Sequence, residues 1–537
     1  MNCFNKIDDY IYRHMRELNA PGLTIGITDQ NDLLWSKSYG YANIGSEEKV
    51  TPETLFQIGS MTKTFTAIAL LQEVEAGKLD LQVPISEYLP WFELRSDHKI
   101  NVHQLLTHTA GLPQGRDDIP TSKYMAAALA EYSPPFEPGS KHEYSDVGYQ
   151  ILGFILEALN DKTYGEIIKE RILVPLEMTD TLAAITHRLR KRLAVGYKHF
   201  YDDRPAHLSH PIVPAPWIVY DAADASISST AEDMSKFMRM LLNRGKGPKG
   251  PLISEESFEL MTREHAERWP NSYYGYGSYV RQMDGNDIIG HGGNMIGFQS
   301  MMLADLDTDI GIVACINGPG FPYYVVTYAL EVMREELVGD IEAKSPAPLV
   351  SYEVSNASDY IGSFRSGQRS FEIEADDNNL ILIYEGQKIT LEDRGRDLFY
   401  VNHPDFELYL LEFHRDEDDK VVEAFHGPDW YTNQQYEGPA EFEVNPDWDQ
   451  YTGFYRTQNP WVTNFEIVCR KGRLVQINPG GLCYEPYEDM LVPDELEGKF
   501  RLGSKDSTEW LKFDTIADGK ALRVEHSGCY YYRSERL

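Results

Sequence analysis

Across Lys344-Ser345-Pro346-Ala347-Pro348 the chain changes character, and one fold cannot serve both sides of that boundary. Before it, apolar residues recur at helical and at strand spacings. After it they alternate in short runs broken by Gly, Asn and Asp, the pattern of an all-β barrel or sandwich. A length of 537 residues allows two or three domains. A second mark divides the β half. Tyr360-Ile361-Gly362-Ser363-Phe364-Arg365 returns as Tyr451-Thr452-Gly453-Phe454-Tyr455-Arg456, each time heading a strand-rich block. That duplication predicts two small β-barrels, so the expected domains are residues 1–345, 346–440 and 441–537.

In the first domain, residues 6–18 read as a helix, and 23–28 and 33–41 as strands around Asn31-Asp32. A helix opens at Ser60, runs to about Ala76 and is stopped by Gly77. Residues 80–245 read as mostly helical, with Ser229-Thr230-Ala231-Glu232-Asp233 as a capping-box start. Strands return at 287–291, 298–305 and 310–317, and a last helix at 324–338. Strands at both ends with helices between them predict an α/β (α+β) domain. Its antiparallel sheet draws on both ends of the segment, with helices on both faces and a helical subdomain.

Asp and Glu outnumber Lys and Arg 84 to 50, a formal charge of -34, which repels nucleic acid and anionic lipid; neither is expected as a partner. The five cysteines (Cys3, Cys315, Cys469, Cys483, Cys529) are scattered and form no metal-ligand pattern, so free thiols are expected. Met1-Asn2-Cys3-Phe4-Asn5-Lys6 leads into a charged amphipathic stretch, and no apolar run has the length of a membrane span. The expectation is a cytoplasmic protein.

The S-x-x-K spacing occurs at Ser46/Lys49, Ser60/Lys63 and Ser96/Lys99, and position separates them. Ser46 lies in a Gly/Glu-rich turn and Ser96 in a polar stretch. Ser60 follows a glycine and opens an apolar helix carried by Met61, Phe65, Ile68, Ala69 and Leu71. Three positions apart on a helix, Ser60 and Lys63 share a face. The helix N-terminus favours an alkoxide, and burial would lower the pKa of Lys63 toward a neutral base. Taken alone, the pair also fits an N-cap and a solvated lysine. Tyr144-Ser145-Asp146, at the entrance of another apolar helix, supplies a second proton carrier. His291-Gly292-Gly293-Asn294, at a strand end, lets a substrate backbone approach. The Asn294 N–H could then join that of Ser60 as an oxyanion hole, each donor worth roughly 3 kcal/mol.

Ser60-Met61-Thr62-Lys63, Tyr144-Ser145-Asp146 and His291-Gly292-Gly293 resemble, in order and spacing, the three motifs of the penicillin-recognising serine hydrolases. The class C β-lactamase-like branch, with its D-aminopeptidases, DD-peptidases and esterases, is the most similar; the stretch from Leu105 to Leu112 also resembles that group. The resemblance covers about residues 5–340 and implies a β-lactamase-like catalytic domain. The β domains behind it resemble the barrels of D-aminopeptidases, residues 346–440 being lipocalin-like. The family implies acyl transfer: Ser60 attacks, Lys63 and Tyr144 relay the proton, and Asn294, His291, Gly293 and Asp146 bind substrate or its oxyanion. No cofactor or metal is implied, and the partner is a small-molecule or short-peptide substrate.

Two residues depart from the family pattern. His291 stands where Lys is usual, and a neutral imidazole suits a substrate carboxylate poorly. Asp146 stands where Asn is usual; a carboxylate only accepts hydrogen bonds, and near Lys63 it should hold that lysine protonated. The expected substrate therefore carries a free amine or is a neutral ester. Amide or peptide cleavage leads, an esterase is the alternative, and a non-catalytic binding protein is the reading from another class.

Overall fold

Helix α1 (Cys3–Leu18) shows why the first sheet forms where it does. Its buried residues Ile7, Tyr10, Ile11 and His14 recur at three- and four-residue spacings, a single apolar stripe. That stripe packs with helix α5 (Pro322–Val338) over Leu23, Ile25 and Ile27 of strand β1 (Gly22–Thr28) and Ile312 and Ile316 of strand β8 (Ile310–Ile316). Ile7 and Ile11 are fully buried, each stabilising the fold by about 2–3 kcal/mol.

The computed structural model describes residues 3–96, 98–115, 121–339, 342–348, 351–480 and 486–536. Asp97, Cys483 and the first two residues of the N-terminal stretch lie outside them. The chain divides into two compact units, residues 1–198 with 212–347, and residues 199–211 with 348–537. Segment 199–211, grouped on sequence with the first domain, thus belongs to the second unit.

The first unit holds one antiparallel sheet. Between β1 and the later strands come β2 (Leu33–Asn43) and helices α2 (Thr62–Glu75), α3 (Asp146–Asn160) and α4 (Ala231–Leu242). Then follow β3 (Ala266–Trp269), β4 (Ser272–Tyr274), β5 (Tyr279–Met283), β6 (Asn286–Met295) and β7 (Phe298–Asp305) before β8. Spatial order runs β3-β4-β5-β6-β7-β8-β1-β2, closed at the far edge by the short strand Glu48–Lys49. β1 pairs with β8 (Leu23↔Ile316), so the sheet joins the two ends of the segment, as the strand pattern predicts.

Every residue of β1, β7 and β8 is buried, because helices cover both faces. On the face opposite α1 and α5 lies α4, whose Arg239 donates to Thr28 Oγ1 at 3.2 Å and whose Phe237 stacks on Phe65 of α2 at 3.9 Å. Thr230 caps α4 by accepting the Asp233 N–H, but the full capping box does not form. The Asp233 carboxylate instead accepts from Lys236 and from the Asp180 N–H, each at 2.7 Å. Around α3 gather the helices Val102–Leu106, Ser122–Ala128 and Tyr164–Ile168, the helical subdomain.

Among its described residues the second unit has β-strands and two short 3-10 turns, with no α-helix. Nine strands between residues 362 and 432 form one antiparallel sheet; its edges, Gln387–Thr390 and Glu392–Asp393, adjoin in sequence, so it is nearly closed. Eight strands between residues 453 and 533 form a closed barrel, sealed where Tyr455 pairs with Arg533. The repeated motif takes the same place in each. Tyr360 ends a 3-10 turn and Tyr451 follows one, and Phe364 and Tyr455 are fully buried two residues into the next strand. Segment 199–211 is tied to both blocks: Arg394 donates to Ala206 O at 2.8 Å, and Arg456 pairs with Asp202 at 2.7 Å.

Candidate active site

Helix α2 is prefaced by a 3-10 turn, Gly59–Met61, so Ser60 sits one turn ahead of the α-helix proper and Lys63 within its first turn. The Lys63 side chain is fully buried, with Nζ donating to Ser60 Oγ at 3.2 Å, Asp146 Oδ1 at 2.6 Å and Asp224 O at 3.1 Å. Three acceptors saturate an ammonium.

The Tyr144-Ser145-Asp146 tripeptide reaches this point through a helix cap. Ser145 is the N-cap of α3: its Oγ accepts the Gly148 N–H at 3.1 Å and donates to Pro113 O at 2.7 Å. Its own N–H donates to His108 Nδ1 at 3.1 Å. His108 adopts a left-handed backbone (φ 56°), and burial holds its pKa well below 6.5, so Nδ1 stays free to accept. The cap leaves Tyr144 and Asp146 on either side, both turned toward Lys63. Tyr144 hydroxyl hydrogen-bonds Ser60, and its ring centroid lies 5.0 Å from Lys63 Nζ.

Strand β6 supplies the third wall. β5 pairs with it only as far as Gly290, so residues 291–295 keep one edge outside that ladder. Against it lies the chain at Ile58 and Gly59. A Cβ on Gly293 would stand 1.8 Å from Ile58 O, and one on Gly59 would stand 2.5 Å from Asn294 N. Gly59 also has φ 53°, which a larger side chain adopts only under strain. The Asn294 backbone is thereby brought beside the nucleophile's turn. The Gly293 glycine serves this chain-to-chain fit, whereas a Cβ on Gly292 would meet nothing nearer than 3.5 Å.

At Lys63 the two influences read from the sequence, burial and Asp146, oppose each other. Burial does pull its pKa down, but the carboxylates of Asp146 and Asp224 pull harder the other way, and it ends above its ordinary value. The resting residue is an ammonium, as expected for a lysine beside Asp146. Burial, Asp146 and Tyr279 raise the Tyr144 phenol well above 10, so it too holds its proton.

His291 is fully buried and does not present its ring as the usual Lys would. Its Nδ1 faces Gly292 O at 2.5 Å and its Nε2 lies 2.9 Å from Tyr274 OH. A carbonyl only accepts, so Nδ1 carries the hydrogen and Nε2 accepts from the tyrosine. Burial, with the Lys63 charge, pushes the His291 pKa down to about 3. One oxygen of Asp146 is committed to Lys63, and its side chain is a quarter exposed, at 25%.

The structure adds residues absent from the motifs. Asp224 is buried, accepts from Tyr220 OH at 2.9 Å, and burial raises its pKa to about 7. A lone acid among small apolar residues, Ala222-Ala223-Asp224-Ala225, is the signal that could have found it. The other S-x-x-K serines are remote in kind: Ser46 is exposed in a turn and Ser96 lies outside any helix.

The family model described as Beta-lactamase matches residues 7–331, more than half of the chain. The chain belongs to the β-lactamase family. Protein flp of Staphylococcus aureus is 27% identical over 323 residues, 58% of this chain and 62% of that protein. The chain thus spans about three fifths of these curated relatives. Penicillin-binding protein 4 of Amycolatopsis lactamdurans is 28% identical over 295 residues, 51% of this chain and 74% of the relative. Among solved structures, the octameric penicillin-binding protein homologue of Pyrococcus abyssi matches with TM-score 0.60 and 26% identity, over 80% of this chain and 100% of its own. The family is one of serine hydrolases, and the sheet, helical subdomain and C-terminal β-barrels are the expected fold. Among the described residues no helix is long and apolar enough to cross a membrane.

Proposed function

We propose that the chain is a hydrolase cleaving amide or peptide bonds, with D-amino-acid peptides as its substrate class, through an acyl-enzyme on Ser60. One observation carries the reading: Lys63 Nζ, 3.2 Å from Ser60 Oγ, shares that oxygen with the Tyr144 hydroxyl. With Lys63 an ammonium and Tyr144 a phenol, one proton must leave the pair before Ser60 can attack. Lys63 as amine then takes the Ser60 proton while Oγ bonds to the carbonyl carbon. As the C–N bond breaks, Tyr144 gives its proton to the leaving nitrogen and regains one from Lys63. Water repeats the sequence to release the acid. The Ser60 and Asn294 N–H groups serve the developing oxyanion.

The test is covalent labelling by a fluorophosphonate, which should be lost in Ser60→Ala. Labelling that persists in that variant ends the reading. D-alanyl amides, p-nitrophenyl esters and nitrocefin assayed side by side then rank the substrates. An esterase is the second reading, favoured by the neutral, buried His291; ester turnover without amide cleavage would select it.

A further inference from the structure

The nine-stranded sheet of the second unit stops short of closing, and a cavity of about 600 Å³ lies at the seam. That volume falls within the roughly 300–1,000 Å³ usual for small-molecule sites. The wall draws on both edge strands: Lys388, Ile389 and Thr390 from one, Glu392 from the other. Side chains alternate along a strand, so three consecutive residues share a wall where the strand is met edge-on, along its unpaired backbone. Ser351 bridges to Asp393 and Glu353 to Asn379, which brings the exposed Tyr352 into the lining between them. The interior of this barrel is filled by Phe364, Phe371, Leu382, Phe399 and Phe413. The cavity therefore belongs to the seam and not to a lumen of the kind lipocalins use.

The charges around the cavity are already answered. Glu392 is buried, with one oxygen 2.8 Å from Arg394 Nε and the other 3.2 Å from His207 Nε2, whose ring stacks on Tyr400 at 4.4 Å and 11°. Lys388 pairs with Glu374 at 2.8 Å. An ionic ligand would have to displace these partners. Ile389 is the one aliphatic side chain in the lining among the described residues, too little for a lipid tail or for the side chains of a peptide. What the wall does offer is neutral. The amides of Asn379 and Asn402 and the Thr390 hydroxyl make no hydrogen bond among the described residues. Amides and hydroxyls each donate and accept, and the hydroxyls of a sugar do the same. Tyr352 and Tyr400 add aromatic surface for the apolar C–H groups of a sugar ring. We propose that this seam cavity binds a short neutral saccharide, through Asn379, Asn402 and Thr390. The site is independent of the chemistry at Ser60.

The test is calorimetric titration of the full chain with maltose, cellobiose and N,N′-diacetylchitobiose, beside N-acetyl-tetra-alanine amide and dodecanoate. At least one saccharide should bind. Asn379→Ala and Asn402→Ala should each weaken it about 5-fold, the scale of one neutral hydrogen bond. Both variants should keep the wild-type urea midpoint, since neither amide is bonded within the fold, so a loss of binding is not a loss of structure. Absence of any saccharide binding with Kd below about 10 mM overturns the inference. Saccharide binding that both substitutions leave unchanged overturns it too, because the sugar would then sit elsewhere. Binding of the tetra-alanine or of dodecanoate that the same substitutions abolish would assign the cavity to a peptide or a lipid instead. None of these outcomes bears on the Ser60 reading.

Discussion

Lys63 is where a substitution in the family pattern becomes chemistry. Its proton is held by Asp146 at 2.6 Å and by the buried Asp224, against the pull of its own desolvation. If the attacking form needs that proton gone, kcat/KM rises with pH along a limb set by Lys63. Asp146→Asn removes the largest of the influences that raise the Lys63 pKa, so the limb should move to lower pH and the rate near pH 7 should increase. A pH–rate profile of ester hydrolysis on both proteins checks this; an unmoved limb would mean Lys63 acts as a fixed cation. The residues of the first two motifs were legible because they sit at helix starts, where spacing and capping leave a trace; the third was legible from its paired glycines on a strand. The sign of the Lys63 shift was legible through Asp146, but the share of Asp224 in it was not. The shift is a balance between burial and two carboxylates, and Asp224 reaches Lys63 from 161 positions away along the chain.

The elements fix how well the site is aligned. The turn carrying Ser60 is docked on β6 by two close backbone approaches and on β7 by Ser300 Oγ, which donates to Ile58 O at 2.9 Å. Gly293→Ala would place a methyl 1.8 Å from Ile58 O, where backbone must move, whereas Gly292→Ala meets only ordinary contact. The expected outcome is a loss of roughly 100-fold in kcat for Gly293→Ala, the scale of a misplacement of about 1 Å, with little change for Gly292→Ala. Both variants should keep their far-ultraviolet circular dichroism. Equal activity in the two would show that the approach is not what aligns Ser60. That strands from both ends of the segment share a sheet was readable from sequence; their order, and the strands between residues 266 and 283, were not. The glycines were readable too, but as room for substrate; their use in chain-to-chain packing depends on which neighbour the fold brings to each.

At the scale of the whole molecule, buried histidines govern stability in weak acid. Burial lowers His14, His142, His199 and His426 to about 4 and His291 to about 3, from an ordinary 6.5. Each is neutral in the fold while its unfolded counterpart takes a proton as pH falls below 6.5. Stability that is complete above pH 6.5 is therefore lost on the way down to about 4, at about 1.4 kcal/mol per pH unit for each group. Asp224 opposes this, since burial raises it to about 7 and the fold takes up its proton first. Burial raises Asp221, Glu331, Glu488 and Glu525 as well, but it also lowers His103, His108, His210 and His265, and nine histidines set against five carboxylates keep the sign. Relief of repulsion within a chain of formal charge -34 comes mainly when ordinary carboxylates protonate, near pH 4. Urea midpoints should therefore fall steadily from pH 7 to 5. His14 accepts the Phe321 N–H through Nε2 at 3.2 Å, and glutamine can keep an acceptor there without titrating. His14→Gln should flatten the decline by about one histidine's share; a flat profile in the wild type down to pH 5 would show that these rings are solvated in solution.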